Sequence, residues 1–231
     1  MNQQIGIIGA MRAEVETLIA ALDGAAVCRV GSLTFHTGRL GGRPVVLAEC
    51  GIGKVNAAMC AQTMILRFGV TEIWNTGVAG TLTDELSIGD FAVSSDVVQH
   101  DMDTTPLGDP PGWISGLDQV HIPADAALAA AFAEAVASSG HRCRIGTIAS
   151  GDVFVASSAQ KTRIRDVFGA VACEMEGAAI GQVAAANGVP FVVVRAISDG
   201  GDEASAVDYP TFVKEAAARS AAVVAAVAAR A

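Results

Sequence analysis

Five times along this 231-residue chain an apolar run ends directly in glycine or polar residues. The junctions are Gly9–Glu14, Thr76–Gly80, Ser150–Val155, Cys173–Glu176 and Arg195–Asp199. Short runs such as QIGIIG and FVVVR suit buried strands. Between them lie segments of helical period, as in Val15, Leu18, Ile19 and Leu22. Strands alternating with helices predict an α/β fold around a largely parallel sheet. In such sheets ligands collect beyond the carboxyl ends of the strands, so the five junctions together form the candidate site.

In detail, strands are predicted at 4–9, 33–40, 43–49, 72–76, 90–98, 144–150, 170–173 and 191–195. Helices are predicted at 12–22, 54–67, 124–138, 157–167, 176–187 and 209–231. The pair 33–40 and 43–49, joined around Gly41-Gly42, brings antiparallel strands into the sheet. Gly77-Val78-Ala79-Gly80 reads as a turn closing the strand before it. No repeat and no linker interrupts the chain, which predicts one domain over residues 1–231. Residues 101–120 are rich in Pro, Gly and Asp and lack any period. A stretch of that kind is a functional or covering loop, or a disordered tip.

Composition narrows the partners. Hydrophobic residues are 52% of the chain and charged residues 17%, which excludes disorder and suits a fold partly covered by another subunit. A net charge of −9 counts against nucleic acid and against anionic membranes, but not against a small molecule. Cys28, Cys50, Cys60, Cys143 and Cys173 form no CxxC pair and read as buried free thiols of a reducing compartment. The N-terminal apolar stretch is too short to span a membrane and lacks a signal-peptide layout, so a soluble, cytoplasmic protein is expected.

Most familiar chemistries find no support. His100-Asp101-Met102-Asp103 has ligand-type residues without metal-site spacing, so no metal is expected. GIIGAM lacks the dinucleotide fingerprint, and GIGKVNA lacks the spacing of a phosphate loop; both read as tight turns, and no cofactor is expected. No GxSxG elbow is present. What remains is acidic: Glu14, Glu174, Glu176 and Asp199 all lie near strand ends, with Arg195 and Asp199 bracketing Ser198. Arg195 and Glu14 can hold a water between them, and Asp199 can act on a leaving group. Carboxylates in different surroundings can divide acid and base roles.

IGIIGAMRAEVE, SGDVFV, EMEG and VVVRAISDGGDE, in that order, resemble the bacterial 5′-methylthioadenosine/S-adenosylhomocysteine nucleosidases of the nucleoside phosphorylase superfamily. VVQHDMD with the Pro-rich loop after it resembles a branch acting on 6-amino-6-deoxyfutalosine. The resemblance covers nearly the whole chain. It implies a three-layer α/β/α sandwich with a mixed central sheet, and a homodimer. It implies hydrolysis of the N-glycosidic bond between adenine and a 5-thioribose, with 5′-deoxyadenosine as a further substrate. By motif, Glu14 is the base that activates water and Asp199 the acid that protonates adenine N7. Glu176 grips the ribose hydroxyls beside Met175, Phe154 stacks on adenine, and the Val155 main chain reads its edge. Tyr209 stands where a lid aromatic is expected. Leu107 and the 101–120 loop would complete the neighbouring subunit's 5′ pocket.

One departure is Val78, where many members carry a serine that orients the catalytic aspartate. Here that task falls to Ser198, to the turn backbone, or to nothing. Glu174 is left as a supporting or electrostatic partner. If residues 173–176 stay extended, Glu174 and Glu176 share a face; if the helix begins at Glu174, they diverge. Two rival readings are a purine nucleoside phosphorylase, for which Arg12 is the N-terminal motif's phosphate-holding cation, and a nucleoside-binding relative without catalysis.

Overall fold

The first strand, β1 (Ile5–Gly9), feeds two cores. Ile5 and Ile7 enter one and Ile8 the other, as the period of two in a strand requires. The computed structural model describes residues 3–230. Met1, Asn2 and Ala231, the last of which ends the final predicted helix, lie outside the described residues.

β1 lies between two parallel neighbours, β4 (Arg43–Glu49) and β5 (Glu72–Thr81). Beyond β4, β3 (Leu33–Leu40) and β2 (Asp23–Val30) continue the sheet antiparallel. On its other edge β5 meets β10 (Phe191–Asp199) in parallel and the short β9 (Ala172–Glu174) antiparallel. β6 (Phe91–Gln99) runs antiparallel to β10 and parallel to β8 (Cys143–Ser150), which in turn runs parallel to β9. The two-residue β7 (Ile122–Pro123) pairs with β6. Because β5 touches both β10 and β9, five strands close into a ring within a ten-stranded mixed sheet.

Helices cover both faces. α2 (Lys54–Thr63, continued by a π turn at Met64–Phe68) and α5 (Gly177–Ala186) pack on one core, through Ala57, Cys60 and Met64, and Ala178 and Ile180. α1 (Arg12–Ala20), α3 (Ala126–Ser138) and α6 (Ser205–Ala228) pack on the other, through Val15 and Leu18, Phe132, and Ala217 and Val224. α4 (Ser158–Phe168) covers a third, smaller cluster with Ile164 and Phe168. This is the three-layer α/β/α arrangement with a mixed sheet. Among the described residues no helix is long and apolar enough to cross a membrane.

Several sequence expectations need correction. Gly77–Gly80 is not a turn: β5 continues to Thr81, and β10 continues beside it to Asp199, pairing Arg195 with Gly77 and Asp199 with Gly80. The glycines mark close approach instead of a bend. A Cβ on Gly77 would fall 2.5 Å from the Glu14 carboxylate and nearer still to the Arg195 guanidinium. β2 was not foreseen, because DGAAVCRV is mostly exposed and has no apolar face to announce it. The 101–120 segment is ordered by its own contacts: a 3-10 turn at Thr105–Leu107, a bridge between Ile114 and Gln119, and a buried Ile114. Cys28 and Cys143 are only half-buried, whereas Cys50, Cys60 and Cys173 are buried.

Candidate active site

The five junctions meet around one cavity of about 340 Å³. They do so although the strands are not all parallel. β9 enters antiparallel to the end of β5, so that Cys173 pairs with Gly80 and the glutamates after it arrive beside Val78 and Ala79. Glu14, Val78, Phe154, Val155, Met175, Glu176, Arg195, Ser198, Asp199 and Tyr209 all line the cavity. Leu107 does not; it is 82% exposed and outside this chain's own cavity lining.

One wall is a buried ionic network. Glu14 sits in the first turn of α1, where its Oε2 accepts the N–H groups of Ala10 (2.7 Å) and Met11 (3.0 Å). Its Oε1 accepts the N–H of Val78 at 3.1 Å. Burial pushes the Glu14 pKa above the usual carboxylate range, outweighing the opposing pull of Arg195 and of the three N–H donors. The Arg195 guanidinium pairs with Glu174, lies 3.5 Å from Glu176 and donates to Asn75 Oδ1 at 2.5 Å. Burial works against its charge, but Glu174, Glu176 and Glu14 outweigh that and raise its pKa.

The two glutamates of EMEG take neither arrangement foreseen from sequence. β9 ends at Glu174, α5 begins at Gly177, and Glu176 takes the cap position between them. The Glu174 carboxylate receives the N–H groups of Glu176 (3.1 Å) and Gly177 (2.8 Å), the Ser150 hydroxyl and Arg195. With so many partners it is the structural anchor of the turn, placed at the N-terminus of a helix, where an anion is favoured. Glu176 is less occupied: its Oε1 accepts the Gly53 N–H at 2.9 Å. Burial, with the Glu174 charge adding to it and Arg195 opposing, pushes Glu176 up to about 7.

Asp199 ends β10, four residues beyond Arg195, and also lines the cavity. Its Oδ2 accepts the Ser198 hydroxyl and its Oδ1 the Gly201 N–H, each at 2.9 Å. Ser198 and the turn backbone thus hold the two oxygens of this carboxylate. Gly80 leaves room for this carboxylate, since a Cβ there would fall 2.7 Å from Oδ1. Phe154 and Tyr209 meet edge to face, ring centroids 5.4 Å apart, and the Tyr209 hydroxyl contacts Met11 Sδ at 3.1 Å. The segment bearing Phe154 and Val155 is tethered through Asp152, whose Oδ1 accepts the Lys54 N–H (2.8 Å) and whose N–H donates to Asp101 (2.9 Å).

Sequence reasoning missed the supports. Asn75, fully buried, ties Arg195 to β1 by donating to the Ile8 carbonyl at 2.9 Å. A lone polar residue in the apolar run EIWNTG was the available signal, since buried amides need partners. Ser150 stood inside a selected junction without a role; it bridges Glu174 and the Ala178 N–H. Met11 and Ile52 line the cavity without any sequence mark. Among the described residues no cluster of His, Cys, Asp and Glu is arranged to hold a metal ion.

The sequence model of the phosphorylase superfamily matches residues 4–229. A Shewanella halifaxensis protein named 5′-methylthioadenosine/S-adenosylhomocysteine nucleosidase is 40% identical over 220 residues, spanning 94% of this chain and 95% of its own. The crystal structure of the Neisseria meningitidis 5′-methylthioadenosine/S-adenosylhomocysteine nucleosidase with methylthio-immucillin-A matches with a TM-score of 0.95 and 35% identity, over 99% of this chain and 100% of that one. The futalosine hydrolase of Helicobacter pylori matches with a TM-score of 0.93 and 35% identity, over 98% and 97% of the two chains. Fold, motif order and these similarities agree, and the chain belongs to the 5′-methylthioadenosine/S-adenosylhomocysteine nucleosidases of the phosphorylase superfamily.

Proposed function

We propose that the cavity binds 5′-methylthioadenosine and S-adenosylhomocysteine and hydrolyses the bond between adenine and the 5-thioribose, with water as nucleophile. The charge of the lining carries this reading. Glu14, Glu174, Glu176 and Asp199 face one cation, Arg195, which is already paired with Glu174 and Glu176. Arg12, the alternative phosphate ligand, is exposed on α1 and outside the lining. A phosphate would meet uncompensated carboxylates, whereas a neutral water suits a buried base.

Glu14, held by three N–H groups, takes a proton from water as its oxygen attacks the anomeric carbon. Asp199 gives a proton to adenine N7 as the C–N bond breaks, and solvent returns the balance. The anionic wall of Glu14 and Glu176 favours the positive charge that develops on the sugar. Water on one face and a leaving-group acid on the other is the logic of an inverting glycosidase. Glu176 holds the ribose hydroxyls beside Met175, Phe154 stacks on the base with Val155 reading its edge, and Arg195 orients Glu14 and its water. Tyr209, meeting Met11 and Phe154 across the mouth, closes the 5′ end, where its hydroxyl suits polar substituents such as that of 6-amino-6-deoxyfutalosine. 5′-Deoxyadenosine, with nothing on that carbon, is a further substrate of the same pocket.

A homodimer fits the surface. Val55 and Met59 on α2, Leu66 in its π turn and Ile52 just before it are large apolar side chains left exposed, and so is Leu107, a few residues after VVQHDMD. Exposed apolar patches mark interaction surfaces, and the reading places Leu107 against the partner's 5′ pocket. Free thiols suit a reducing cytoplasm. Adenine release from 5′-methylthioadenosine in phosphate-free buffer tests the reaction: turnover there is expected, and strict dependence on added phosphate would make the protein a phosphorylase. Tight nucleoside binding with no base released would make it a binding protein.

A further inference from the structure

We infer that Lys161 is a positioning residue for proton delivery, acting on Asp199 through the Gly200–Gly201 peptide. The inference rests on the proposed role of Asp199 as general acid. Lys161 Nζ donates to the Gly200 carbonyl oxygen at 2.8 Å. That carbonyl belongs to the same peptide group as the Gly201 N–H, which donates to Asp199 Oδ1 at 2.9 Å. The C=O and N–H of a peptide point in opposite directions. An ammonium on the oxygen and a carboxylate on the nitrogen therefore both lie along the peptide dipole, about 3.5 D. Each hydrogen bond in such a chain polarises the next, by ~10–30% per bond.

The peptide is clamped in place. Gly201 has φ +64°, a left-handed conformation that favours glycine, and a Cβ there would meet the Thr81 carbonyl at 3.0 Å. On its other flank the loop is fastened to α4 a second time: the Glu203 carboxylate accepts the Ser158 N–H (2.9 Å) and hydroxyl (2.6 Å) at the start of that helix. α4 follows directly on the segment that carries Phe154 and Val155. One helix thus registers the proposed base-stacking segment against the loop after the proposed acid. Lys161 is not part of the cavity lining, so it acts without touching substrate.

The chemical consequence lies in the state after transfer. Once Asp199 has given its proton to the base it is a carboxylate, and the aligned peptide and ammonium stabilise that anion. Lys161 therefore speeds departure of the proton. The other ionisable groups around Asp199 are the Cys173 thiol on β9, the Tyr209 phenol on α6 and Asp202 in the loop. The thiol and phenol are pushed up by burial first and neighbouring acids second, so they stay protonated through neutral pH.

The test is kcat and KM for adenine release from 5′-methylthioadenosine as a function of pH, in wild type, Lys161→Met, Lys161→Arg and Asp199→Asn. Lys161→Met is expected to lower the plateau kcat about 5- to 10-fold, the scale of one weakened charge-assisted hydrogen bond. It should also move the alkaline limb of kcat to higher pH, with KM unchanged within about 2-fold. Lys161→Arg, which keeps charge and donor, should restore both. A Lys161→Met profile identical to wild type overturns the inference, and so does a Lys161→Arg as impaired as Lys161→Met, which would reduce Lys161 to packing. Should Lys161→Met fail to fold, Lys161→Gln keeps a donor without the charge and gives the same two readouts. A wild-type-like Asp199→Asn removes the acid itself, and the inference with it; inactive wild type removes the hydrolase reading instead.

Discussion

The two walls of the cavity are built by different means. The wall holding Glu14, Glu174, Glu176 and Arg195 hangs on β1, β5, β9 and β10, and all four side chains are almost fully buried. Its three carboxylates share one cation, Arg195, and a set of backbone N–H groups. The rest of the lining is made of loop and helix start: the segment of Phe154, which is 45% exposed, and Tyr209 near the start of α6, with the Gly200–Glu203 loop leading into that helix. A buried wall with this many hydrogen-bond partners suits orientation of a nucleophile and stabilisation of developing charge. The loop wall must admit and release a purine, so its precision comes from tethers such as Asp152 to Lys54 and Glu203 to Ser158.

Asp199→Asn removes the acid at the end of β10, where the Gly200–Glu203 loop begins, while leaving both walls standing. The amide keeps the shape of the carboxyl but has no proton to give, so kcat is expected to fall by at least ~10²-fold. The melting temperature should stay within a few degrees of wild type, because neither Arg195 nor Glu174 is touched. Single-turnover adenine release beside thermal melting checks both halves, and near-normal turnover would take Asp199 out of the acid role.

Arg195→Met does the reverse. It strips the one cation from a buried cluster and strands Glu174, Glu176 and Glu14 beside one another. Removing one partner of a buried ion pair typically costs about 3–5 kcal/mol. Urea denaturation should show a loss on that scale, with activity falling alongside stability. A variant as stable as wild type would mean that backbone N–H groups alone hold the wall.

How far these walls were legible in sequence follows from how each is made. The buried wall was visible because charge in an apolar run is conspicuous: Glu14, Glu176, Arg195 and Asp199 each interrupt one. Which of Glu174 and Glu176 faces the cavity more freely was not visible, since it turns on a single residue at the β9–α5 junction. Gly77 and Gly80 misled, because a glycine that makes room for a carboxylate looks the same in sequence as one that makes a turn. Ring closure was equally hidden, for the pairing of β5 with both β9 and β10 is non-local and leaves no periodic mark. Lys161 illustrates the loop wall's opacity: nothing in VASSAQK sets it apart until Gly200 is found at its end.

The two walls should also respond oppositely to pH, which gives the smallest but sharpest contrast. Burial, helped by the Glu174 charge, raises Glu176 from 4.5 to about 7. Between those values the folded protein holds a proton that the unfolded chain has released, so stability falls as pH rises through that window. At the anchor of the loop wall's Asp152 tether, outside the cavity lining, burial raises Asp101, but the Lys54 ammonium and the Asp152 N–H outweigh it and hold Asp101 below its usual 3.8. Here the unfolded chain binds the proton first, so this contribution is present above 3.8 and is lost as pH falls through the folded value. Melting curves from about pH 3 to pH 8 for wild type, Glu176→Gln and Asp101→Asn separate the two. Glu176→Gln should flatten the decline between 4.5 and 7 and leave the acid side unchanged, and Asp101→Asn should do the opposite. A Glu176→Gln curve parallel to wild type across that upper window would mean that the buried wall titrates elsewhere, with Arg195 compensating Glu176 more fully than burial penalises it.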